Sequence, residues 1–375
     1  MSSTFFYGRI TAMKHDGPVR TALIAEIGTS HNGDFAHACA LIDAAKEAGA
    51  DFAKFQIVYA DEILHPDTGF VDLPGGRIRL YDRFRELETD PEFYGRLSDY
   101  CESAGIAFLC TPFGLRSARE LIALSPTHIK IASPELNHLP LLDACAKSGL
   151  PLILSSGVST LADIERALER TAGAKERILL HCVTSYPAPE EDYNLQVLES
   201  LSAVFGVGVG VSDHSLDPIL VPVLSVACGG TCIEKHITLS KTGSGLDDPV
   251  ALTAEQFAEM VRAVRQAETQ TKEEIVHGME LIYGERKVRA VLGDGVKRLA
   301  PSEKANYART NRSIHFLRSM KKGERIGERD IALLRTEKVL NPGLGPEFLE
   351  RAIGSVLTRD VQDGAGLEWE DLLAR

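Results

Sequence analysis

Eight short apolar segments alternate with helical patterns over the first 285 residues, and this alternation limits the possible folds more than any other feature. The segments are rich in β-branched and apolar residues, and amphipathic stretches of helical period separate them. They span 22–28, 52–58, 107–113, 128–133, 151–157, 177–183, 207–214 and 232–238. Eight strand–helix units within about 250 residues predict a (β/α)8 barrel.

A doubly wound open sheet is the competing α/β architecture. Such sheets usually have fewer strands and a glycine-rich phosphate turn after the first strand. No GxGxxG sequence follows residues 22–28, which favours the barrel. The one irregular spacing is the insertion 59–91, and we expect it to cross one mouth of the barrel.

The sequence pattern changes near residue 286, which predicts a barrel domain over 1–285. Residues 286–310 mix turn signals with charge and are predicted to form a linker. From 311 to 375, short strand-like runs lie between the turn sequences KKGERI, NPGLGPE and VQDGAG. This last segment predicts a small, mostly β domain after the α/β barrel.

The charge balance argues against several classes of partner. The chain has 41 Lys and Arg against 53 Asp and Glu, a formal net charge of −12. An acidic chain without a basic stripe does not favour nucleic acid or anionic membranes. No apolar run approaches the ~20 residues of a membrane helix, and residues 1–20 lack the pattern of a secretory signal, so we expect a cytoplasmic protein.

Polar residues concentrate at the carboxyl ends of the predicted strands, where barrel enzymes carry their catalytic groups. A barrel serving only as a scaffold would need apolar interior residues alone. The polar residues at these ends are Glu26, Lys54, Gln56, Thr111, Lys130, Ser133, Ser155, Ser212, His214, Glu234 and His236.

Strand periodicity pairs some of these residues, because side chains two positions apart face the same way. His214 and His236 then stand at neighbouring strand ends, with Glu234 below His236. The two imidazoles predict a divalent-metal site completed by water and substrate oxygens, and the alternative is a pair of hydrogen-bonded structural histidines. Lys235 has the opposite parity and is expected to face the helices.

Lys54 and Lys130 are unusual inside strands, because lysine is seldom buried without a partner. With the hydroxyl groups of Ser133, Ser155 and Ser212 they predict a cationic pocket for phosphate and carboxylate. The alternative for each lysine is a structural salt bridge to Glu26 or Glu234.

Several motifs in a fixed order now resemble one enzyme family. They are AEIGTSHNG, FAKFQ, CTPF, KIASPELNHLPLL, LSSG, HCVTSYPAPEEDYNL, VGVSDHS and EKHITL. Together they resemble the sialic acid synthases, which are phosphoenolpyruvate-dependent condensing enzymes. The tail from Arg312 through KKGERI, NPGLG and IGSVLTRDV is similar to the C-terminal antifreeze-like (SAF) domain of that family.

The resemblance implies a reaction, a cofactor and an assembly. The reaction is condensation of phosphoenolpyruvate with an N-acylated mannosamine-type sugar, giving a nine-carbon 2-keto-3-deoxy acid and phosphate by C–O cleavage. The implied cofactor is a divalent metal, Mn(II) first, with Mg(II) or Co(II) as alternatives. The implied assembly is a domain-swapped homodimer in which Arg312 closes the acceptor pocket of the partner; the alternative is a surface arginine near a turn.

The resemblance also implies roles for individual residues. His214 and His236 would bind the metal. Those implied to bind phosphoenolpyruvate are Lys54, Thr111, Lys130, Ser133, Ser155 and Ser212. Those implied to bind the acceptor sugar are Gln56, Thr184, Tyr186, Asp247 and Arg312. The catalytic set would be Glu26, Glu135, Lys54 and Lys130, and whether Glu26, Glu135 or Glu234 takes the proton from water stays open.

Some positions depart from the family pattern, and they lie on the acceptor side. These are Pro134, Thr184, Leu246, Asp248 and Ala251. N-acetylmannosamine, its 6-phosphate and 2,4-diacetamido-trideoxyhexoses therefore all remain open as acceptors. The alternative enzyme is another metal-dependent aldolase or condensing barrel. A non-enzymatic carbohydrate- or ice-binding protein is disfavoured, because residues 311–372 hold only Thr336 and Thr358.

Overall fold

The computed structural model describes residues 20–73, 76–243 and 245–373 of the chain. Residues 1–19, where no secretory signal was expected, lie outside the described residues. In chain order the strands are β1 (Ala22–Gly28), β2 (Phe52–Ile57), β3 (Phe70–Leu73), β4 (Gly76–Arg79), β5 (Ala107–Pro112), β6 (Ile129–Ile131), β7 (Leu152–Ser155), β8 (Arg177–Cys182), β9 (Gly208–Asp213), β10 (Cys232–Thr238), β11 (Leu252–Thr253), β12 (Arg312–Phe316) and β13 (Ile331–Arg335).

Eight parallel strands form a closed barrel in the order β1-β2-β5-β6-β7-β8-β9-β10, and β10 pairs with β1 to complete it. All eight strands predicted from the sequence are confirmed. The register aligns the polar strand ends, because Glu26 stands opposite both His236 of β10 and Lys54 of β2. Glu234 in turn stands opposite Ser212 of β9.

Most of the helices cover the outside of the barrel, as the amphipathic stretches predicted. In chain order the helices are α1 (Phe35–Glu47), α2 (Ala60–Ile63), α3 (Leu80–Glu86), α4 (Pro91–Ala104), α5 (Leu115–Ala123), α6 (Leu139–Lys147), α7 (Leu161–Arg170), α8 (Val197–Phe205), α9 (Leu220–Ala227), α10 (Ala254–Ala267), α11 (Lys272–Tyr283), α12 (Glu285–Leu292), α13 (Leu349–Ala352) and α14 (Trp369–Leu372); of these, α2 and α3 lie in the 59–91 insertion and α13 and α14 in the C-terminal domain. Side-chain caps define the first residues of several helices. Thr160 and Asp163, for example, form a reciprocal capping box at the start of α7. None of the helices in the described ranges has both the length and the apolar character needed to cross a membrane.

Two apolar layers place the polar site at one end of the barrel. The larger layer packs the strands against the surrounding helices. The smaller layer fills the barrel interior below the carboxyl ends of the strands, and it consists of Ala22, Ile24, Phe52, Ala107, Leu109, Ile153, Ile178, Leu180 and Cys232. Because this plug closes the interior from below, the polar residues above it open only toward the carboxyl-end mouth.

The segment predicted as a linker, 286–310, differs from that prediction at its start. Helix α12 continues to Leu292, and its Val288, Val291 and Leu292 are buried in the main core. The period of these apolar residues was hidden in the sequence by the surrounding charges. The rest of the segment runs along the mouth of the barrel, as its contacts below show.

The small C-terminal domain has its own apolar core, which includes Ile314, Phe316, Ile326, Leu357 and Leu367. Its regular sheet is the antiparallel pair β12 and β13. Isolated bridges such as Met320 to Val361 complete a turn-rich β structure. The pair β12–β13 carries Arg312 and Arg335 opposite each other, and both reach the barrel.

Candidate active site

A cavity of about 410 Å³ lies at the carboxyl ends of the barrel strands. It gathers most of the polar residues that the sequence singled out. The predicted site residues that line it are Glu26, Lys54, Gln56, Lys130, Ser133, Ser155, Thr184, Tyr186, Ser212, His214, Glu234, His236 and Asp247. Helix α3, from the 59–91 insertion, contributes Phe84 at the rim, and Leu87 follows at the C-cap of that helix.

Two lysines and two carboxylates form a compact network at the base of the cavity. Lys54 Nζ lies 2.6 Å from Glu26 Oε2 and 3.6 Å from Glu234 Oε2. Lys130 Nζ lies 3.8 Å from the same Glu234 oxygen and donates to Ser155 Oγ at 2.6 Å. Lys54 and Lys130 therefore form ion pairs with Glu26 and Glu234, which was the structural alternative, and they also line the cavity.

Burial and neighbouring charge shift the pKa values in this network. Burial alone would lower the pKa of Lys54, but Glu234 and Glu26 outweigh it and hold that pKa above its usual value. Burial lowers the pKa of Lys130 despite Glu234. Burial would raise the pKa of Glu234, yet Lys130 and Lys54 bring it down to about 2, so this carboxylate stays ionised near neutral pH.

The two predicted metal ligands lie side by side at the ends of the neighbouring strands β9 and β10, with ring centroids 5.7 Å apart. His214 Nδ1 lies 2.9 Å from the backbone oxygen of Val183, an acceptor that places the proton on Nδ1 and leaves Nε2 toward the cavity. Burial lowers the pKa of His236, which favours the neutral imidazole that a metal requires.

The donor set fits a divalent ion with open positions. Among residues 20–73, 76–243 and 245–373, no group of three or more His, Cys, Asp or Glu side chains comes together as a metal-ligand set. An ion would therefore rest on the two imidazoles and on oxygen atoms from water or substrate. The two carboxylates cancel the charge of the two lysines, so an anionic ligand here also requires further positive charge.

The residues that the resemblance implied to bind the acceptor lie next to the two histidines and Glu26. Tyr186 stacks on His214 with ring centroids 4.1 Å apart, and its hydroxyl lies 3.0 Å from His214 Nε2. Gln56 Nε2 donates to Glu26 Oε1 at 2.5 Å. Asp247 Oδ2 lies 3.7 Å from His236 Nδ1. Thr184 Oγ1 is buried beside the cavity and has no hydrogen-bond partner among the described residues.

Three predicted site residues do not line the cavity: Thr111, Glu135 and Arg312. Glu135 ends a 3-10 turn after β6 and is fully buried between two guanidinium groups. The Arg312 side chain is fully buried in the same chain, bonded to Glu135 and donating to the backbone oxygens of Glu62 and Phe113. With its donors occupied in this way, Arg312 holds the two domains together in the structure instead of reaching the cavity.

Arg335 is the main cavity residue that the sequence did not single out. It lines the cavity, and its Nη2 donates to Glu135 Oε1 at 2.6 Å. No sequence motif marks Arg335. In the structure, the antiparallel pairing of β12 and β13 sets it opposite Arg312. Further cavity residues outside the quoted motifs are Val58, Asn306, Thr310 and Lys338.

The fold and this cavity define a class: a (β/α)8-barrel enzyme with a polar, charged cavity at its carboxyl-end mouth and an appended β domain. The model of the NeuB family matches residues 41–275, and the SAF domain model matches residues 311–373. The chain therefore belongs to the NeuB family and ends in a SAF domain.

Relatives and a solved structure agree over nearly the full length. The chain is 33% identical to the N,N'-diacetyllegionaminic acid synthase of Legionella pneumophila, over 98% of this chain and 99% of the relative. It is 32% identical to a pseudaminic acid synthase of Campylobacter jejuni, over 93% and 96%. The crystal structure of spore coat polysaccharide biosynthesis protein SpsE from Bacillus subtilis superposes with a TM-score of 0.80 at 34% identity, covering 96% of this chain and 97% of that one.

These relatives include synthases of nonulosonic acids, and the protein is a synthase of the transferase type. The resemblance seen in the motifs is thus confirmed at the level of family, fold and enzyme class.

Proposed function

We propose that the protein condenses phosphoenolpyruvate with an N-acylated mannosamine-type sugar and releases phosphate by C–O cleavage. The observation that carries the proposal is the cavity itself. One wall presents Lys54, Lys130 and three serine hydroxyls, a set suited to phosphate and carboxylate. The cavity also presents the imidazoles of His214 and His236, and beside them hydrogen-bonding groups suited to a sugar, which are those of Gln56, Thr184, Tyr186 and Asp247.

A divalent metal, Mn(II) first, would be held by His214 and His236. When bound, it would polarise the aldehyde oxygen of the open-chain acceptor and add positive charge to a network whose own charges cancel. Lys54 and Lys130 would hold the phosphate and carboxylate of phosphoenolpyruvate. Ser133, Ser155 and Ser212 would fix its orientation through their hydroxyl groups.

The bond changes balance without a further reactant except water. The C3 carbon of phosphoenolpyruvate attacks the aldehyde carbon of the sugar, and water adds at C2. The C2–O bond to phosphate then breaks, and the electron pair leaves with the phosphate. Lys54 and Lys130, already in place, would stabilise the departing charge.

Glu26 is the carboxylate we assign to take the proton from water. Glu135 lies outside the cavity, and both of its oxygens bind arginine. Glu234 has a pKa of about 2, which makes it a weak proton acceptor near neutral pH. Glu26 lines the cavity beside Lys54 and Gln56, where an attacking water could reach it.

The acceptor we favour is a 2,4-diacetamido-trideoxyhexose, the kind of sugar that leads to legionaminic or pseudaminic acid. The acceptor end of the cavity has an apolar wall made of Val58, Phe84, Leu87, Phe113 and Leu246. Such a wall accommodates the methyl groups of a deoxy, acetamido sugar better than the phosphate of a 6-phosphorylated one.

The test is release of phosphate from phosphoenolpyruvate with Mn(II) and a panel of N-acylated hexosamines. Release should depend on the acceptor, stop with a chelator and return with Mn(II). With 18O in the bridging position, the label should leave in phosphate. No acceptor-dependent release with any sugar, or formation of the condensed keto acid with pyruvate replacing phosphoenolpyruvate as the carbon donor, would contradict the proposal.

The metal assignment has its own variants. His214→Ala and His236→Ala should each abolish turnover and weaken Mn(II) binding measured by calorimetry. His181→Ala is the control, because His181 is buried outside the cavity lining and its Nε2 bonds to the backbone oxygen of Tyr193. Unchanged Mn(II) affinity in both cavity variants would contradict the metal site.

A further inference from the structure

The segment 297–311, between the barrel and the SAF domain, binds the loops that follow β7 and β8. Its polar side chains bond to backbone atoms of those loops. The contacts are Lys297 Nζ to the oxygen of Ser156 at 3.0 Å, Asn306 Nδ2 to the oxygen of Thr184 at 3.0 Å, and Asn311 Nδ2 to the oxygen of Val158 at 3.1 Å. The segment is therefore part of the wall of the cavity.

Glu303 is the centre of these contacts and is 1% exposed. One carboxylate oxygen accepts from the amide of Val158 at 2.9 Å and from the amide of Thr184 at 3.0 Å. The other oxygen accepts from Ala300 at 3.0 Å. A buried carboxylate that accepts several backbone N–H groups makes strong, charge-assisted bonds. Glu303 thus joins two loops from different strands.

Val158 is held in a backbone conformation that valine rarely adopts. Its φ is 42°, in the left-handed region, and its side chain is fully buried. For a β-branched residue such a conformation is unfavourable and persists only where the surroundings enforce it. The bond from its amide to Glu303 and the bond from Asn311 to its oxygen enforce it here.

The strained turn sets the geometry of two cavity residues. The amide of Gly157, just before Val158, donates to Ser133 Oγ at 3.0 Å. The two loops approach so closely that a Cβ on Gly157 would lie 2.2 Å from Thr184 Oγ1. The backbone amide of Thr184 donates to Glu303, and the backbone oxygen of Thr184 accepts from Asn306. These two bonds fix the backbone that carries the Thr184 hydroxyl, which has no hydrogen-bond partner among the described residues.

We propose that Glu303 is a positioning residue for the acceptor side of the cavity. It locks the loops after β7 and β8 together, keeps Val158 in the left-handed region, and so fixes the position of Thr184, a cavity residue that the resemblance implied to bind the acceptor. The substrate side of this inference rests on the proposed function, whereas the locking of the loops does not.

Amide hydrogen exchange tests the locking without any substrate. In Glu303→Gln, peptides covering 156–160 and 182–186 should exchange roughly tenfold faster, since one strong acceptor is lost. Peptides of β1 and β2 should stay unchanged, which also shows that the chain is folded. Unchanged exchange at both loops would overturn the proposal.

Steady-state kinetics tests the positioning. Glu303→Gln should raise the KM for the acceptor roughly tenfold and leave the affinity for phosphoenolpyruvate within about threefold. The matched control is Glu274→Gln, an exposed carboxylate on α11 that also accepts a backbone amide, from Thr271. An equal loss for both substrates, or a change in the control, would indicate a general fold defect and contradict positioning.

A second substitution at Val158 tests whether its left-handed backbone conformation, and not side-chain packing alone, carries the effect of Glu303. Val158→Gly permits positive φ without strain, whereas Val158→Ala removes most of the same side chain and keeps the strain. In the Glu303→Gln background, the Gly variant should recover acceptor KM and slow the exchange, and the Ala variant should not. Equal behaviour of Gly and Ala would overturn the role of Val158.

A failure of the proposed reaction would be recognised separately. In that case the unmodified chain would show no acceptor-dependent phosphate release, while faster loop exchange in Glu303→Gln would still confirm the lock. If the unmodified chain is active and the exchange is unchanged, the proposed reaction stands and the lock is wrong.

Discussion

The cavity and the domain junction use the same chemistry in opposite ways. Each has a buried glutamate near two basic side chains: Glu234 with Lys54 and Lys130 in the cavity, and Glu135 with Arg312 and Arg335 at the junction. At the junction both carboxylate oxygens bind guanidinium groups directly. In the cavity the lysines lie 3.6 and 3.8 Å from Glu234 Oε2, which has no hydrogen-bond partner among the described residues.

The difference shows what each region does. Direct contacts from two arginines, one to each oxygen of Glu135, fix two surfaces together. The two lysines pair closely with Glu26 and Ser155 but only distantly with Glu234, so on that side they can turn to a ligand that brings its own oxygen atoms. The junction therefore holds the SAF domain on the barrel, and the cavity is built to exchange partners. Four predictions test this difference between the cavity and the domain junction.

The largest effect is expected from Lys130→Met in the cavity. It should lower kcat/KM by about 10²–10³-fold, because one of the two groups that we propose to stabilise the departing phosphate is lost. Lys235→Met is the matched control, since Lys235 is equally buried but pairs with Asp213 on the outer face of the barrel. The control should lose thermal stability and keep its affinity for phosphoenolpyruvate in binding measurements. Equal affinities in both variants would contradict the cavity role.

The next effect is expected from Arg312→Met at the junction. Removing one member of a buried ion pair costs about 3–5 kcal/mol, because Glu135 keeps its charge without its closest partner. Urea unfolding should show this loss, and adding Glu135→Gln should recover part of it. If stability is unchanged and only acceptor affinity falls, Arg312 acts directly on the acceptor, as the resemblance implied for a domain-swapped dimer.

A smaller effect is expected from Arg335→Gln, which tests where the two regions meet. Glu135 keeps its bond to Arg312, so we expect a stability loss of only about 1 kcal/mol. Because Arg335 also lines the cavity, the KM for the acceptor should rise more than the stability falls. A stability loss as large as that of Arg312→Met, with an unchanged KM, would make Arg335 a junction residue only.

The smallest effect is expected on acid stability. Burial would raise the pKa of Glu135, but Arg312 and Arg335 hold it below its ordinary value of 4.5. Its ionised form therefore stabilises the fold above about pH 4.5, and this contribution is lost as the pH falls below that value. Between pH 6 and pH 3, Glu135→Gln should lose less melting temperature than the unmodified chain. The surface variant Glu350→Gln should follow the unmodified chain; identical slopes in all three would contradict the assignment.

Much of the fold could be predicted because its signals are local. Alternating β-type and helical periods identified all eight barrel strands, and side-chain parity correctly sent Lys54 and Gln56 into the cavity and Lys235 away from it. Helix α12 was missed because charged residues surround its buried Val288 and Val291.

The site was predictable where strand ends alone determine it. His214, His236 and the two lysines converge because the carboxyl ends of parallel strands meet at one mouth. Glu135 was placed in the site by resemblance, but the 3-10 turn after β6 directs it toward the SAF domain. Arg335 and Glu303 had no motif, since Arg335 reaches the cavity, and Glu303 the loops of its wall, through packing of segments far away in the sequence.

The sequence by itself determined which strands form the barrel and which of their side chains face its interior, because strand periodicity depends only on neighbouring residues. Tertiary structure alone decided which charges meet. Arg312 is 177 residues from Glu135, and Glu303 is 145 residues from Val158. Such pairings form only when whole surfaces pack, because packing must bury apolar area and satisfy buried polar groups at the same time. No local sequence pattern predicts which distant surfaces meet both requirements.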